Sequence, residues 1–442
     1  MTRIVFLGAG SAVFTRQLLV DLLRFDDVPH LEVALHDIDP ERLEIARLTA
    51  ENVAAQLRKP LTVIATQDRR AALEGALAVV IMIQVGGVPA TQIDLQVPEK
   101  HGVLQTIGDT TGVGGVFRAL RTFPAISEIA ADIRAICPDA WVLNYTNPMA
   151  MNVWWWKTVA PDLKSVGLCH SVYWTAKGLC ALLDVPLSEV TYRAAGVNHQ
   201  AWMMELSHQG EDLYPRLDAL FADDPELRRR VRVEMYSRIG RFPTESSEHS
   251  AEYLPWFMRS PEQIERFRIT PLEYLGISDE NLAEVAEAKR LLSAGENLTL
   301  PDSGDAAEYA PLIIHSLLTG STRTIHANVL NDGLIDNLPE GTPVEVPASV
   351  DRDGVHPQPM GRIPAFGAAL NRTYLSVAEL TVEALKTGDA RMVRQAVLAD
   401  GNASSSATPE RIWLMCDELT DRHRALLPAS IGGDLPFEFT VY

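Results

Sequence analysis

Ile4-Val-Phe-Leu-Gly8-Ala-Gly10-Ser11 is the stretch that decides the fold of the first half of the chain. An apolar run ends in a Gly-x-Gly turn, and a helical pattern follows. In a dinucleotide fold the first glycine permits the tight turn, and the second lets the backbone approach a pyrophosphate at the helix N-terminus. Val13 stands where the full fingerprint has a third glycine, so a plain strand-to-helix turn is the alternative. We predict a dinucleotide site that includes Gly8, Gly10 and Ser11.

Apolar runs alternate with helical patterns throughout this first half. The predicted strands are Ile4–Leu7, Leu31–Leu35, Leu61–Ala65, Ala78–Ile83 and Trp141–Leu143. The predicted helices between them include Phe14–Leu23, Pro40–Gln56 and Val116–Ile136. Such alternation is typical of an α/β protein with a Rossmann-like, doubly wound and mostly parallel sheet.

A carboxylate follows the second predicted strand. Asp37 lies where it can accept hydrogen bonds from both ribose hydroxyls of an adenosine, and it would repel a 2′-phosphate, which favours NAD over NADP. Asp39 directly precedes Pro40 and is expected to cap the helix, and capping is also the alternative for Asp37. Gly86 and Asn144 follow later strands and complete the predicted cofactor site.

The second half of the chain has a different pattern. Beyond about residue 195 the regular alternation gives way to longer helices and Pro-containing connections, which predicts a helix-rich α+β region folded over the carboxyl edge of the sheet. A last helix is predicted over Pro409–Leu426. We expect a NAD-binding domain over residues 1–195 and a substrate, metal and oligomerisation domain over residues 196–442.

Composition limits the partners. Asp and Glu total 58 against 39 Lys and Arg, a formal net charge of -19, which would repel nucleic acid and anionic lipid. The four cysteines show no paired spacing, and a chain of 442 residues needs no disulfides to stabilise its core. No apolar run is long enough for a signal peptide or a membrane span. We expect a cytoplasmic protein with neither a nucleic-acid nor a membrane partner.

A thiol and two imidazoles occur in two short motifs. Cys169-His170-Ser171-Val172 and Gly196-Val-Asn198-His199 each follow a short apolar run, which would bring Cys169 and His199 to the same sheet edge. Both side chains can ligate a divalent ion, and softness alone favours zinc or iron over manganese. A buried packing pair is the alternative. His170 is a candidate ligand, orienting neighbour or general acid.

Two carboxamides close the fifth predicted strand in Asn144-Tyr-Thr-Asn147-Pro148. A doubly wound sheet delivers such residues to its ligand crevice. Side-chain amides can fix a nicotinamide or bind the hydroxyls of a sugar or an acid. The alternative is a turn that caps the next helix, and for Asn147 we expect this cap whatever else the residue does.

With these motifs together, the chain resembles glycoside hydrolase family 4, whose members are NAD- and divalent-metal-dependent glycosidases. The resemblance rests on Gly8-Ala-Gly-Ser, Asp37-Ile-Asp, Gly112-Val-Gly-Gly-Val-Phe-Arg-Ala-Leu-Arg-Thr, Asn144-Tyr-Thr-Asn-Pro-Met-Ala-Met, Cys169-His-Ser-Val, Gly196-Val-Asn-His, Thr244-Glu-Ser-Ser-Glu-His and Asn331-Asp-Gly-Leu-Ile-Asp-Asn-Leu-Pro. The Cys-His-Ser-Val tetrad is similar to that of the α-galactosidase branch.

This resemblance implies a hydrolase of α-galactosides or closely related α-glycosides that uses NAD and Mn²⁺ and forms homodimers or homotetramers. Within the family, α-glucosidase and α-glucuronidase or galacturonidase are the alternatives. An NAD-dependent dehydrogenase of a sugar or a 2-hydroxy acid is the alternative outside it. A nucleotide-binding redox sensor that uses Cys169 is a third, non-enzymatic reading.

The family mechanism assigns roles to the residues already named. NAD⁺ takes a hydride from C3 of the sugar, a base removes the proton on C2, the C1 substituent is eliminated, water adds back and the hydride returns. A metal held by Cys169 and His199 would chelate the C2 and C3 oxygens. Asn147 and Asn198 are implied as partners of the sugar hydroxyls.

The sequence departs from the family pattern at two places. Phospho-glycosidase members carry a Tyr base three residues beyond a Pro, but the same step from Pro243 reaches Ser246. Tyr173 and Trp174 follow the tetrad where Gln-Gly is expected in α-galactosidases, so Tyr173 is a predicted contact of the sugar or aglycone. The dense titratable groups near position 250 favour a proton-transfer loop over a solvated helix. The base or acid candidates in this loop are Glu245, Glu248, His249 and Tyr253.

Overall fold

The computed structural model describes residues 2–301 and 308–432, apart from the side chain of residue 12. Its strands are β1 Thr2–Leu7, β2 Leu31–His36, β3 Leu61–Thr66, β4 Ala76–Ile81, β5 Trp141–Asn144, β6 Ser165–Gly167, β7 Val190–Val197, β8 Gln200–His208, β9 Glu211–Asp212, β10 Arg323–Leu330, β11 Pro343–Asp351 and β12 Gly354–Pro357.

The helices up to the middle of the chain are α1 Ala12–Leu23, α2 Pro40–Leu57, α3 Arg69–Leu73, α4 Gly87–Lys100, α5 Gly112–Ile136, α6 Met149–Val159, α7 Ser171–Leu182, α8 Tyr214–Asp223 and α9 Val231–Ile239. The remaining helices are α10 Ser247–Glu252, α11 Pro261–Phe267, α12 Glu273–Ser293, α13 Tyr309–Thr319, α14 Ala365–Thr387, α15 Ala390–Ala399, α16 Gly401–Ser406, α17 Pro409–Arg422 and α18 Ala429–Gly432.

One sheet contains all of these strands. Six parallel strands in the order β3-β2-β1-β4-β5-β6 form its first part, which is the doubly wound order of a Rossmann-like fold. Their carboxyl ends meet at one edge, where such folds bind ligands. The predicted fold class is therefore confirmed.

The second half of the chain continues the same sheet. Strands β10, β11, β7, β8 and β9 follow β6 in that order, and each pairs antiparallel with its neighbour, while β12 pairs with β11. The helix-rich character predicted for this half is confirmed, but the sequence pattern located no strand in it. The predicted division into a NAD-binding domain and a second domain after residue 195 stays a prediction. Residue 195 itself lies within β7.

Most boundaries in the parallel half lie within two residues of the predicted ones, and α5 is the exception. This helix begins at Gly112, not at Val116, because Gly114 and Gly115 pack against the preceding loop. A Cβ would lie 2.4 Å from the Gly108 carbonyl oxygen at position 114 and 2.7 Å from the Thr110 carbonyl carbon at position 115. Close backbone packing thus overrides the low helix propensity of glycine.

Two boundaries in other elements also differ from prediction. β4 ends at Ile81, although the Met82 N–H still donates to the Leu7 carbonyl oxygen at 3.0 Å. α17 ends at Arg422, before the predicted Leu426. Within the described ranges, no helix is both long enough and apolar enough to cross a bilayer.

Candidate active site

The turn between β1 and α1, residues Gly8–Ser11, is called the nucleotide turn below. Gly8 has φ 83°, and its N–H donates to the His36 carbonyl oxygen at 3.0 Å. A Cβ on Gly8 would lie 2.7 Å from the Met82 carbonyl oxygen, and one on Gly10 would lie 2.6 Å from Asp37 Oδ2. A side chain is therefore excluded at Gly8 by the neighbouring backbone and at Gly10 by the Asp37 carboxylate, and the turn keeps the two glycines of the dinucleotide pattern.

Asp37 ties β2 to the nucleotide turn. Its Oδ2 accepts the Gly10 N–H at 2.8 Å, and its Oδ1 accepts the Asp39 N–H at 2.9 Å. Asp39 accepts the N–H groups of Glu41 and Arg42, so its predicted helix cap is confirmed. The carboxylate of Asp37 thus stands where β2 delivers it beside the turn, fixed by backbone donors.

The other predicted cofactor residues lie along the same edge. Ser11 is the N-cap residue of α1 and makes no capping side-chain hydrogen bond. Gly86, with φ 86°, is the N-cap residue of α4. Asn144 is 1% exposed, and its amide bonds within its own turn, to the N–H and carbonyl oxygen of Thr146 at 3.3 Å each.

Cys169, His199 and Glu245 form a group that we call the ligand cluster. Cys169 Sγ lies 3.2 Å from His199 Nε2, and Glu245 Oε2 lies 3.7 Å from the same nitrogen. One donor atom from each of the three residues lies within 4.8 Å of the others. Cys169 follows β6, His199 follows β7, and Glu245 precedes α10, so the sheet order brings distant segments together.

Two residues of the ligand cluster have unusual backbone geometry. His199 has φ 63° and Glu245 has φ 72°, a left-handed region that residues with a Cβ seldom adopt. The Glu245 N–H is held by Thr175 Oγ1 at 3.1 Å. Such strained positions concentrate at functional sites, where the surrounding structure maintains them.

A second donor group adjoins the ligand cluster through His199. It contains Asp109, His199 and His249. His249 lies between two carboxylates, with Nε2 at 3.6 Å from Asp109 Oδ1 and Nδ1 at 3.7 Å from Glu245 Oε1. Ser246, the residue at the family's Tyr position, caps α10 by accepting the His249 N–H at 3.1 Å.

Sequence reasoning missed Asp109 and Thr110. Thr110 Oγ1 lies 2.8 Å from His199 Nδ1, and Asp109 Oδ2 accepts Nδ2 of Asn147 at 2.9 Å. Asn147 therefore faces the site and does not cap α6, whose N-cap residue is Pro148. The signal that points to this loop is the polar run Asp109-Thr-Thr immediately before the glycines of α5.

The loop that carries Asp109 is clamped by Glu252, a residue that the sequence analysis also left out. This carboxylate is 3% exposed and accepts the N–H groups of Thr106, Ile107 and Gly108 at 2.8 to 3.0 Å. Glu252 is the last residue of α10, so the clamp fixes Asp109 relative to His249.

Burial and the neighbouring charged groups together set the pKa values of the site. Burial alone would raise the pKa of Glu245, but His199 and His249 outweigh it, and the pKa lies below its usual value. Burial acts against protonation of His249, yet Glu245 and Asp109 raise its pKa. Burial, with the nearby Glu245 carboxylate, raises the pKa of the Cys169 thiol to about 12. An ionised carboxylate therefore lies beside a thiol that a metal ion would deprotonate.

His170 lies outside the ligand cluster and is paired with Glu308. Its Nδ1 lies 2.7 Å from Glu308 Oε1, and its side chain is 43% exposed. Burial opposes the charge, but the Glu308 carboxylate raises the pKa of His170 to about 10. Sequence reasoning had no signal for Glu308, which lies 138 residues away along the chain.

The remaining candidates differ in access. Tyr253 OH lies 3.3 Å from His199 Nδ1, and burial raises its pKa well above the usual value. Glu248 belongs to neither donor group found among the described residues. Tyr173 is 5% exposed, whereas the neighbouring Trp174 is 47% exposed. The exposed bulk after the tetrad is thus Trp174.

The donor set fits a divalent ion. Glu245 Oε2 is buried and has no hydrogen-bond partner within the part of the chain that the structure describes, so a buried acceptor faces the thiol and the imidazole. Thiolate, imidazole and carboxylate are ordinary ligands of transition-metal ions. The nucleotide turn likewise fits a dinucleotide, because it joins β1 of a Rossmann-like sheet to the N-terminus of α1 and has the Asp37 carboxylate beside it at the end of β2.

The fold and the site define an α/β enzyme with a dinucleotide-type turn beside a thiol, imidazole and carboxylate cluster. Residues 3–185 match the model of the family 4 glycosyl hydrolases, and residues 194–402 match that of the family 4 glycosyl hydrolase C-terminal domain. The chain therefore belongs to glycosyl hydrolase family 4 and is a glycosidase, as the sequence motifs predicted.

Two relatives support this assignment, and a solved structure has the same fold. An α-galactosidase of Bacillus subtilis (strain 168) is 38% identical over 97% of this chain and 99% of its own. An α-galactosidase of Rhizobium meliloti (strain 1021) is 34% identical over 96% of this chain and 89% of its own. The crystal structure of a 6-phospho-α-glucosidase from gut microorganisms, in complex with NAD and Mn²⁺, has a TM-score of 0.83 at 20% identity and covers 97% of this chain and 99% of its own.

Proposed function

We propose that this chain hydrolyses α-galactosides in a reaction that depends on NAD and a divalent metal ion. The observation that carries the proposal is the ligand cluster, in which Cys169 Sγ and His199 Nε2 lie 3.2 Å apart on the sheet edge that also carries the nucleotide turn. The α-galactosidase relatives support galactose as the sugar.

Separate sets of residues would bind the divalent ion and NAD. Cys169 and His199 would hold the divalent ion, which would act as a Lewis acid toward neighbouring sugar oxygens. The nucleotide turn, Asp37 and Gly86 would hold NAD, whose nicotinamide would supply reversible hydride transfer. Mn²⁺ and NAD are the groups in the complex with the structurally similar 6-phospho-α-glucosidase.

Glu245 is the proposed base for the proton on C2 of the sugar. Its pKa is lowered by the neighbouring imidazoles, so the carboxylate is ionised and ready to accept a proton. Tyr253 has a strongly raised pKa and stays protonated, which suits a hydrogen bond to His199 better than proton removal. His249 would stabilise the ionised form of Glu245 through their 3.7 Å contact.

His170 is the proposed acid for the leaving oxygen. Its pKa of about 10 keeps the imidazole protonated at neutral pH, and its partial exposure leaves the outer nitrogen open to a substrate. Glu308 orients the ring from the other side. Asn147 and Asn198 would bind sugar hydroxyls, and Tyr173 with Trp174 would border the aglycone.

Substrate turnover tests the proposal. The protein would be incubated with catalytic NAD⁺, Mn²⁺, a thiol reductant and p-nitrophenyl α-galactoside, with the α-glucoside and α-galacturonide in parallel. We expect many equivalents of nitrophenol from the galactoside and no stoichiometric NADH. Steady NADH formation without nitrophenol would overturn the hydrolase in favour of a dehydrogenase.

The route can be tested with the solvent isotope. Removal of the C2 proton by Glu245 in D₂O should place deuterium at C2 of the released sugar, as read by NMR. A product that keeps protium at C2 would contradict the elimination route while leaving glycoside cleavage itself intact.

A further inference from the structure

The floor of the ligand cluster is a row of four residues on adjacent strands. Gly167 of β6 pairs with Asn328 of β10, Asn328 pairs with Glu345 of β11, and Glu345 pairs with Gly196 of β7. Cys169 follows one end of this row and His199 follows the other. Glu345 is the acidic member of the row, and it lies between the strands that deliver the two proposed ligands.

The Glu345 carboxylate is buried and forms no ion pair with any residue in the described ranges. It is 0% exposed, and its Oε1 accepts only long hydrogen bonds, at 3.4 Å each, from Nδ2 of Asn198 and of Asn328. Its Oε2 has no hydrogen-bond partner among the residues described. Burial without compensation disfavours an ionised carboxylate, so a positive charge nearby would stabilise it.

A metal ion held by Cys169 and His199 would bring positive charge to the row that contains Glu345. A divalent ion that binds the Cys169 thiolate keeps a net positive charge, and the Glu245 carboxylate would become neutral when it takes a proton. Glu345 is fully buried beneath the site and takes no part in that proton transfer.

Glu345 also fixes the neighbouring Asn198. Because a carboxylate only accepts hydrogen bonds, it draws the Asn198 Nδ2 group toward itself, and the Asn198 Oδ1 atom is left buried with no partner in the described ranges. That oxygen would then be presented as an acceptor for a hydroxyl at the site. A glutamine at position 345 would allow the Asn198 amide to turn over.

We propose that Glu345 is a positioning residue of the metal site, which strengthens divalent-ion binding by Cys169 and His199 through its buried negative charge and orients the Asn198 amide. This inference rests on the proposed function, because it requires that Cys169 and His199 hold the ion. It does not require a particular sugar.

The test compares wild type with Glu345→Gln, which keeps the shape of the side chain and removes its charge. Each protein would be stripped with a chelator and titrated with Mn²⁺ alone, by calorimetry and by thermal unfolding. We expect the Mn²⁺ Kd to rise by about 10- to 100-fold, as for other residues that support metal ligands. The Tm without metal should stay the same or rise, because a buried charge is gone, and the Mn²⁺-induced increase in Tm should shrink.

A purely structural role predicts the reverse pattern, with a lower metal-free Tm and an unchanged response to Mn²⁺, and that result would overturn the proposal. Asp400→Asn is the matched control. Asp400 is also a buried carboxylate, but it caps α16 through the Ala403 N–H, and an asparagine can cap as well. The control should bind Mn²⁺ like wild type.

Glu345→Asp keeps the charge and should bring the Mn²⁺ Kd back toward the wild-type value. If Glu345→Gln does not fold, Glu345→Met, which has a similar volume and no charge, decides in its place: a raised Mn²⁺ Kd supports the proposal, and a Kd equal to that of wild type contradicts it. If wild type shows no response to Mn²⁺, the proposed metal site itself fails. If wild type and Glu345→Gln respond alike, only the role of Glu345 fails.

Discussion

The nucleotide turn and the ligand cluster lie on the same sheet edge but are built differently. The nucleotide turn joins β1 directly to α1, and its specificity lies in backbone hydrogen bonds and in glycines that permit close approach. The ligand cluster joins the ends of β6 and β7 to the loop before α10, with Cys169 and His199 30 residues apart. One site is a local feature of the chain, and the other exists only once the sheet has formed.

The largest effect is expected from Cys169→Ala, which removes a ligand from the cluster and leaves the nucleotide turn intact. Loss of Lewis-acid stabilisation worth several kcal/mol should lower turnover about 1,000-fold or more. NAD binding, measured by calorimetry, should be unchanged, which would establish that the two sites are separable. Cys180→Ala, a buried cysteine in α7, is the control and should keep wild-type turnover. Equal turnover in both variants would contradict the metal role of Cys169.

A second test distinguishes two candidate bases, Glu245 of the ligand cluster and the neighbouring Tyr253. Glu245→Gln should lower kcat by about 100- to 10,000-fold and abolish deuterium incorporation at C2, because the ionised carboxylate is lost. Tyr253→Phe should retain that incorporation, since the phenol has a raised pKa and its hydroxyl lies against His199 and Thr110. If exchange instead stops in Tyr253→Phe and continues in Glu245→Gln, the assignment is reversed.

The nucleotide turn should respond less strongly. Asp37→Ala removes a charged acceptor from the proposed ribose site and should raise the NAD Kd by about 10- to 100-fold, the equivalent of a charged hydrogen bond. Its discrimination against NADP should fall as well. Asp39→Ala is the matched control, because Asp39 only caps α2. An unchanged NAD Kd in Asp37→Ala would mean that Asp37 only stabilises the turn and does not bind NAD.

The smallest effect on turnover is expected at the clamp that aligns the two donor groups. Glu252→Gln keeps the side-chain volume but weakens the three hydrogen bonds that backbone N–H groups donate to the carboxylate. The free energy of unfolding, measured in urea, should fall by about 1–3 kcal/mol. Turnover should fall less than in Glu245→Gln. A turnover loss as large as that of Glu245→Gln would mean that Glu252 takes part in the chemistry directly.

The difference between the two sites also explains what the sequence could predict. The nucleotide turn and the parallel strands form from contiguous residues, so their glycines, apolar runs and Asp37 have recognisable spacing. The proximity of Cys169 and His199 was predicted from the apolar run before each of them, as if both residues followed parallel strands. β7 in fact runs antiparallel to β6, and the two residues meet because the strand ends before them lie in one row of paired residues across β6, β10, β11 and β7. Motifs shared with family 4 added the function, which no spacing within this chain would have indicated.

What escaped prediction depends on strand order and on contacts between distant segments. Asp109 lies in the loop before α5, and Glu252 binds that loop from α10. Tertiary packing brings these two segments together, and no local sequence pattern indicates it. Glu345 lies in the pattern Pro-Val-Glu-Val-Pro, where alternation predicts an exposed acid. It is nevertheless 0% exposed, because both faces of β11 are covered and the helices α6 and α13 pack against this strand. A pattern within one strand does not reveal which elements pack against it.

The left-handed backbone of His199 and Glu245 has a consequence for the evolution of this chain. Each conformation costs about 1–3 kcal/mol that a glycine would recover. Directed evolution toward heat resistance, without a screen for turnover, would therefore favour glycine or asparagine at positions 199 and 245. The most thermostable descendants would be expected to have lost the ligand cluster first, so heat tolerance and catalysis compete at the same two positions.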